Sequence, residues 1–244
     1  MKHTLSRVLV TGGASGIGLA IAKAFHGAGH DVVIAGRNER RLRDVGLPFV
    51  IMDVCDPDAI GEGLRGAGSI DVFVANAGGA ETAAALKTPR DVWDRAIALN
   101  LTSVFHCAQA VLPAMEKRGW GRFIVVGSTA SLKGYRYVSA YAAAKHGALG
   151  FVRSLALELA QTGVTANLLC PGYTDTPLVS NAIDAIASKT GRTRKEAAST
   201  FTGVNPMRRL VRPEEVAFAA LWLASEAAAA VNGQAIAIDG GETA

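Results

Sequence analysis

The sequence predicts an α/β fold, helices packed on a sheet. Short apolar runs at residues 7–10, 31–35, 49–52 and 70–74 alternate with stretches of helical periodicity. A glycine-rich turn separates the first run from the first helical stretch. Apolar residues make up 50% of the 244 and aromatics only 6%, which allows a sizeable core of closely packed helices. No linker, repeat or low-complexity tract divides residues 1–244, which read as one domain.

Composition excludes several function classes. The formal charge of +4 is mild, and apart from Arg37–Arg43 and two later clusters the basic residues are scattered, unlike a nucleic-acid surface. Cys55, Cys107 and Cys170 are too few and too far apart for a disulfide framework or zinc site; reduced, buried thiols are expected. The five histidines are scattered, so no metal is expected, and His146 takes a structural reading. Residues 1–7 are too short and polar for a signal peptide, and no apolar run of about 18 residues is expected to span a membrane. A soluble cytoplasmic protein is the expectation.

In chain order, Val8–Leu9–Val10 precedes Thr11-Gly12-Gly13-Ala14-Ser15-Gly16-Ile17-Gly18, and a helical pattern follows over 19–28. Strand, glycine turn and helix make a phosphate cradle: the backbone can approach closely, and the helix N-terminus attracts negative charge. The second strand ends in Gly36-Arg37-Asn38. The acid that holds a ribose 2′-hydroxyl in dinucleotide folds is missing there, and an arginine suits a 2′-phosphate, so NADP is favoured over NAD. The alternative is that Arg37 merely opens a basic helix face. Asp56-Pro57 reads as a helix cap, whereas Asp53 sits at a strand end where its carboxylate can accept from an adenine amine. The fourth strand ends in Ala75-Asn76-Ala77-Gly78-Gly79, small residues that can floor a flat ligand.

Residues 91–117 read as one long helix with an apolar stripe of Trp93, Ile97, Val104, Ala108, Val111 and Met115. Asn100 falls in phase with that stripe, so it either satisfies backbone groups or has a functional role. Residues 122–126 form a buried strand closing on Ser128, and Tyr141 and Lys145 are spaced to share one helix face. A hydroxyl, a phenol and an ammonium converging at a strand tip suit proton transfer at a carbonyl oxygen, the cation favouring the phenolate. Another strand, 164–170, ends in Pro171-Gly172-Tyr173-Thr174-Asp175-Thr176; residues 177–206 break the rhythm and are expected to form a mobile lid. A helix from 213 to about 229 and a strand over 234–238 complete the chain.

These pieces together resemble the short-chain dehydrogenase/reductase family along almost the whole chain. The match comprises Thr11-Gly12-x-x-x-Gly16-x-Gly18, Asp53, Asn76-Ala77-Gly78, Asn100, Ser128, Tyr141-x-x-x-Lys145 and Pro171-Gly172-x-x-x-Thr176. Ala75 departs from it, where the family often has a second asparagine. The resemblance implies a Rossmann-like, doubly wound, mostly parallel seven-stranded sheet with helices on both faces. It implies Tyr141 as general acid–base, Lys145 lowering its pKa and holding the nicotinamide ribose, and Ser128 orienting the substrate oxygen. Asn100 would hold a water linking Lys145 to solvent. Gly12, Ser15, Gly16, Ile17 and Gly18 would bind the pyrophosphate, Arg37 the 2′-phosphate, and Asp53 and Val54 the adenine. Asn76, Ala77 and Gly78 would floor the cofactor site, and Pro171, Gly172, Thr174 and Thr176 would hold the nicotinamide end.

Residues 205–210 and 234–241 look like those of 3-oxoacyl reductases and polyketide ketoreductases, implying a 3-oxoacyl-CoA or carrier-protein thioester substrate. Lid cations, with Lys117, Arg118 and Arg122, would meet its phosphates or are plain surface charges. Tyr135, Tyr137 and Val138 would join Ser128 and Tyr141 in lining the pocket. The alternatives are a dehydrogenase of a small secondary alcohol, sugar alcohol or hydroxy acid, and a non-catalytic cofactor-binding sensor. By family analogy a homotetramer is expected, with a homodimer as the lesser assembly.

Overall fold

The computed structural model describes residues 5–244. Its strands are β1 (Arg7–Thr11), β2 (Asp31–Gly36), β3 (Phe49–Ile51), β4 (Val72–Ala75), β5 (Gly121–Val126), β6 (Val164–Pro171) and β7 (Ala235–Ile238). Helices α1 (Gly16–Gly27), α2 (Glu39–Val45), α3 (Pro57–Ala67), α4 (Arg90–Ile97), α5 (Ser103–Arg118), α6 (Ser139–Glu158), α7 (Pro177–Thr190), α8 (Arg194–Thr202) and α9 (Pro213–Ala224) connect them. The strands form one seven-stranded sheet in the order β3-β2-β1-β4-β5-β6-β7, every ladder parallel. Parallel strands covered on both sides read as continuous apolar runs, which is why the central strands were legible without alternation.

The side-chain period of two splits each strand between two cores. Leu9, Phe73, Phe123, Val125 and Leu168 pack with Val104, Val111 and Met115 of α5 and Leu149 and Val152 of α6. Val8, Val10, Val74, Ile124 and Leu169 face the other way, against Ile21 and Phe25 of α1 and Val216 and Ala220 of α9. Phe73 and Phe123 stack with centroids 5.7 Å apart and are fully buried, each stabilising the fold by about 1.5–3 kcal/mol. Winding proceeds from β1 outward to β3, then restarts on the other side at β4. Such a reversal opens a crevice at the carboxyl ends of β1 and β4.

Several expectations are corrected. The expected helix over 91–117 is α4 and α5 joined by a π-helical turn, Ala98–Thr102. Trp93 and Ile97 do not belong to the buried stripe: Trp93 is 40% exposed, α4 holds no buried residue, and the stripe begins at Asn100 and Val104. By length and composition alone Arg90–Arg118 could cross a membrane, but the apolar face of α5 lies in the core. Cys55 is exposed, whereas Cys107 and Cys170 are buried. Residues 177–206 hold the helical pair α7 and α8, which share a small core of Val179, Ile183, Ala197 and Phe201.

Candidate active site

The crevice is built by close backbone approach. The Thr11 hydroxyl accepts from the backbone N–H groups of Asn76 and Ala77, each at 3.0 Å, and Asn76 Nδ2 donates to Thr11 O at 2.8 Å. These bonds tie the tip of β1 to the tip of β4. Gly12 has φ +65°, and a Cβ there would sit 2.9 Å from Asn76 Nδ2; a Cβ on Gly18 would lie 2.4 Å from Gly12 O. Only glycine fits either position. Ser15 caps α1 in extended backbone without a side-chain capping bond, so the helix start faces the crevice with unsatisfied N–H groups. Ile17 reaches the neighbouring cleft, and Gly16 lies against Thr176 beyond β6.

One end of the crevice is a cavity of about 190 Å³ lined by Gly12, Arg37, Asp53, Val54, Ala77 and Gly78, with Met52 and Leu99. Arg37 is largely exposed, its Nη1 3.8 Å from Asp53 Oδ2, while Asp53 Oδ1 accepts from Cys55 N at 3.0 Å. Of the basic face expected over 37–43, Arg37 precedes the cap of α2, Asn38, and turns to the cavity. These residues fit a dinucleotide: a glycine cradle no Cβ could enter, a helix N-terminus for phosphate and an exposed cation, Arg37, beside the adenosine end.

At the other end β5 delivers Ser128 and α6 delivers Tyr141 and Lys145, as their spacing predicts. Lys145 is buried, and its Nζ donates to Val126 O at 2.9 Å and lies 5.6 Å from the Tyr141 ring centre. Ser128 Oγ accepts from Ala130 N at 3.1 Å and interacts with the Tyr141 phenol. Asn100 occupies the π turn. Its Nδ2 donates to Gly79 O at 2.9 Å and Ala96 O at 3.0 Å, and its Oδ1 accepts from Gly79 N at 3.2 Å. A widened turn disturbs the regular helix ladder, and the amide supplies partners there. A Cβ on Gly78 would meet both Asn100 Oδ1 and Lys145 Nζ, so the loop after β4 separates the two side chains.

Electrostatics correct one expectation. Burial pushes the Tyr141 phenol up to about 12, the Ser128 hydroxyl pulling the other way, and burial pushes the Lys145 ammonium down to about 8. Desolvation thus governs both groups, and the expected lowering of the phenol by the cation is not among the causes acting on Tyr141. The result is a neutral phenol beside a group still mainly charged at neutral pH, an arrangement that can hand a proton to an oxygen.

The cluster opens into a second cavity of about 540 Å³. Its walls include Ser128, Tyr135, Tyr137, Val138 and Tyr141, the segment Pro171, Gly172, Thr174 and Thr176, and Phe201 of α8. Thr174 Oγ1 donates to Gly172 O at 2.9 Å; Thr176 caps α7, accepting from Val179 N at 3.4 Å. Tyr137 is left-handed, with φ +67°, and its carbonyl accepts from Ala83 N at 2.8 Å, joining the loops before α4 and α6. Sequence reasoning missed Thr11, Met52 and Leu99 around the dinucleotide crevice and Tyr173 on the cleft wall. Thr11 was signalled by the start of the glycine motif; the rest depend on tertiary packing.

A dinucleotide crevice beside a Ser–Tyr–Lys cluster defines the class as a nicotinamide-dependent oxidoreductase. The chain matches the enoyl-(acyl carrier protein) reductase family over residues 12–243. It is 39% identical to D-beta-hydroxybutyrate dehydrogenase of Cupriavidus necator, across 96% of each chain. It is 36% identical to the 3-oxoacyl-[acyl-carrier-protein] reductase MabA of Mycobacterium bovis, across 96% of this chain and 91% of that one. The structure of an actinorhodin polyketide ketoreductase with NADPH superposes with a TM-score of 0.91 at 34% identity, over 98% of this chain and 97% of that one. The chain belongs to the short-chain dehydrogenase/reductase family, and acts at CH–OH/C=O groups.

Proposed function

We propose that this enzyme reduces a 3-oxoacyl thioester to the 3-hydroxyacyl form with NADPH. When bound, the nicotinamide exchanges a hydride with the substrate carbon. Tyr141 donates its proton to the carbonyl oxygen, Ser128 hydrogen-bonds that oxygen, and Lys145 stabilises the charge left on the phenol. Asn100 fixes the Gly78–Gly79 backbone beside Lys145, on the route by which ordered water would connect the ammonium to solvent. Residues Gly12 to Gly18 hold the pyrophosphate, Arg37 the 2′-phosphate, Asp53 and Val54 the adenine, and Thr174 and Thr176 the carboxamide end. The pair α7–α8 acts as the lid.

The observation that carries the substrate reading is the distribution of charge in the 540 Å³ cleft. Its inner wall is apolar and aromatic, and its charged lining residues are Arg136 and Lys189, both exposed at the rim. A thioester places its phosphates far from the reacting carbonyl, where those cations stand. A free 3-oxo acid needs a cation near Tyr141, yet Lys145 is bonded to Val126 O and Lys133 to Glu242. Oxidation of NADPH and NADH should be followed against thioesters, free 3-oxo acids and simple ketones. The highest kcat/KM is expected for a thioester with NADPH. No advantage for the thioester would leave the second reading, a dehydrogenase of small hydroxy acids, which the 39% identity to the hydroxybutyrate enzyme favours.

The active form is proposed to be a homotetramer. Phe105 of α5, Leu157 of α6, and Phe218 and Trp222 of α9 stand exposed on helix faces away from the cleft.

A further inference from the structure

The last residues of the chain fold back behind the substrate cleft. After β7, Asp239 accepts from Gly241 N at 2.9 Å and Thr243 N at 3.0 Å, a turn that turns Glu242 inward. The Glu242 side chain is 1% exposed. Its Oε1 accepts from the Tyr135 hydroxyl and from Lys133 Nζ, the latter at 3.2 Å, and Lys133 Nζ also donates to Glu242 O at 3.2 Å. A carboxylate only accepts, so the single Tyr135 proton goes to Glu242, and Thr129 Oγ1, 2.6 Å away, donates to the phenol oxygen. Lys133 also lies over the Tyr135 ring, 5.1 Å from its centre. The remaining oxygen, Oε2, is buried without a partner among the described residues, and a Cβ on Gly172 would come within 3.3 Å of it.

Tyr135 starts an aromatic chain along the cleft. Its ring meets Tyr173 edge-on at 6.2 Å, and Tyr173 meets Phe201 edge-on at 4.9 Å. Tyr135, Tyr173 and Phe201 all line the cavity, and Phe201 belongs to α8. A hydrogen bond at one end thus holds a wall extending to the far helix. A buried carboxylate is costly unless paired, so its retention behind this wall calls for a role beyond filling space.

We propose that Glu242 is a positioning residue for substrate specificity: by holding Tyr135 it fixes the aromatic wall and sets which acyl groups the cleft accepts. This rests on the reading of the cleft as the acyl site. The test compares wild type with Glu242→Gln, which keeps the shape and removes the charge, on 3-oxoacyl thioesters of increasing chain length. Glutamine still accepts from Tyr135 but without the charge, so KM for the longer thioesters should rise about fivefold, the difference between a charge-assisted and a neutral hydrogen bond, with kcat on the shortest within about twofold of wild type. The Tyr135 signal in spectra of ¹³C-tyrosine-labelled protein should move, and adding Tyr135→Phe to Glu242→Gln should cost no more than the larger single change. If Glu242→Gln fails to fold, Lys133→Met opens the same cluster and takes its place. Unchanged length preference in a folded variant, whether or not the tyrosine signal moves, overturns the proposal. Wild-type enzyme indifferent to acyl length overturns the reading of the cleft itself, and this inference with it.

Discussion

Burial governs both partners of the proton-transfer pair, and each responds in its own way. The Tyr141 phenol, raised to about 12, stays protonated through the neutral range and is ready to donate. Tyr141→Phe should lower kcat by about 10²–10⁴-fold while leaving NADPH affinity, read by fluorescence titration, unchanged; retained turnover would remove Tyr141 from the role of proton donor. Lys145 has a native value of about 8, below the 10.5 of a free lysine. Between those values the unfolded chain binds more protons than the native one, so stability rises with pH across that window. Below about 8 the native protein carries a buried charge. Lys145→Met should therefore be more stable than wild type at neutral pH, by about 1–3 kcal/mol, while losing activity. Urea unfolding should show the gap closing from pH 8 towards 10.5. The i, i+4 spacing of Tyr141 and Lys145 was legible because helix geometry alone sets it. Their charge states were not, because desolvation depends on what other elements pile around them.

Elements differ in how much of their geometry is local. The strand tips and the α1 start were legible: glycine placement and apolar runs are properties of contiguous sequence. The π turn was not, since Asn100 looks like any polar interruption until its partner Gly79 arrives from another loop. The 177–206 segment read as irregular although a capping box is written in it, Thr193 accepting from Glu196 N and Glu196 accepting from Thr193 N. Its cationic character masked two helices whose apolar faces meet each other, with Tyr173 and Leu210 packed against them. Just beyond this segment comes an ionic latch on α9. Arg209 donates to both Glu215 oxygens at 2.7 and 2.8 Å, Arg212 N donates to Oε2 at 2.8 Å, and the carboxyl is held down to about 2. A lowered carboxyl stabilises the fold above its ordinary value of 4.5 and stops doing so as pH falls through about 2. Glu215→Ala should cost about 1 kcal/mol at neutral pH. Thermal unfolding should show the difference from wild type fading as the medium is acidified.

At the scale of the molecule the sheet order places every site residue at one edge, because parallel strands end together and the winding reverses between β1 and β4. The opposite consequence concerns the faces that the sheet does not use. Phe105 is 40% exposed and meets Phe151 edge-on at 6.0 Å, and Leu157 lies further along α6. On the other side, Phe218 and Trp222 project from α9, which packs against α1. Large apolar side chains grouped this way on two separate faces suit contact surfaces, and self-complementary pairing of each would give the tetramer proposed above, a closed dimer of dimers. Phe105→Glu should abolish one pairing and Trp222→Glu the other, since a charge cannot be buried there without a partner. Light scattering coupled to size exclusion should give four copies for wild type, two for each single variant and one for the double variant. Monomeric wild type at micromolar concentration would rule out this assembly while leaving the cleft, which lies within one chain, intact.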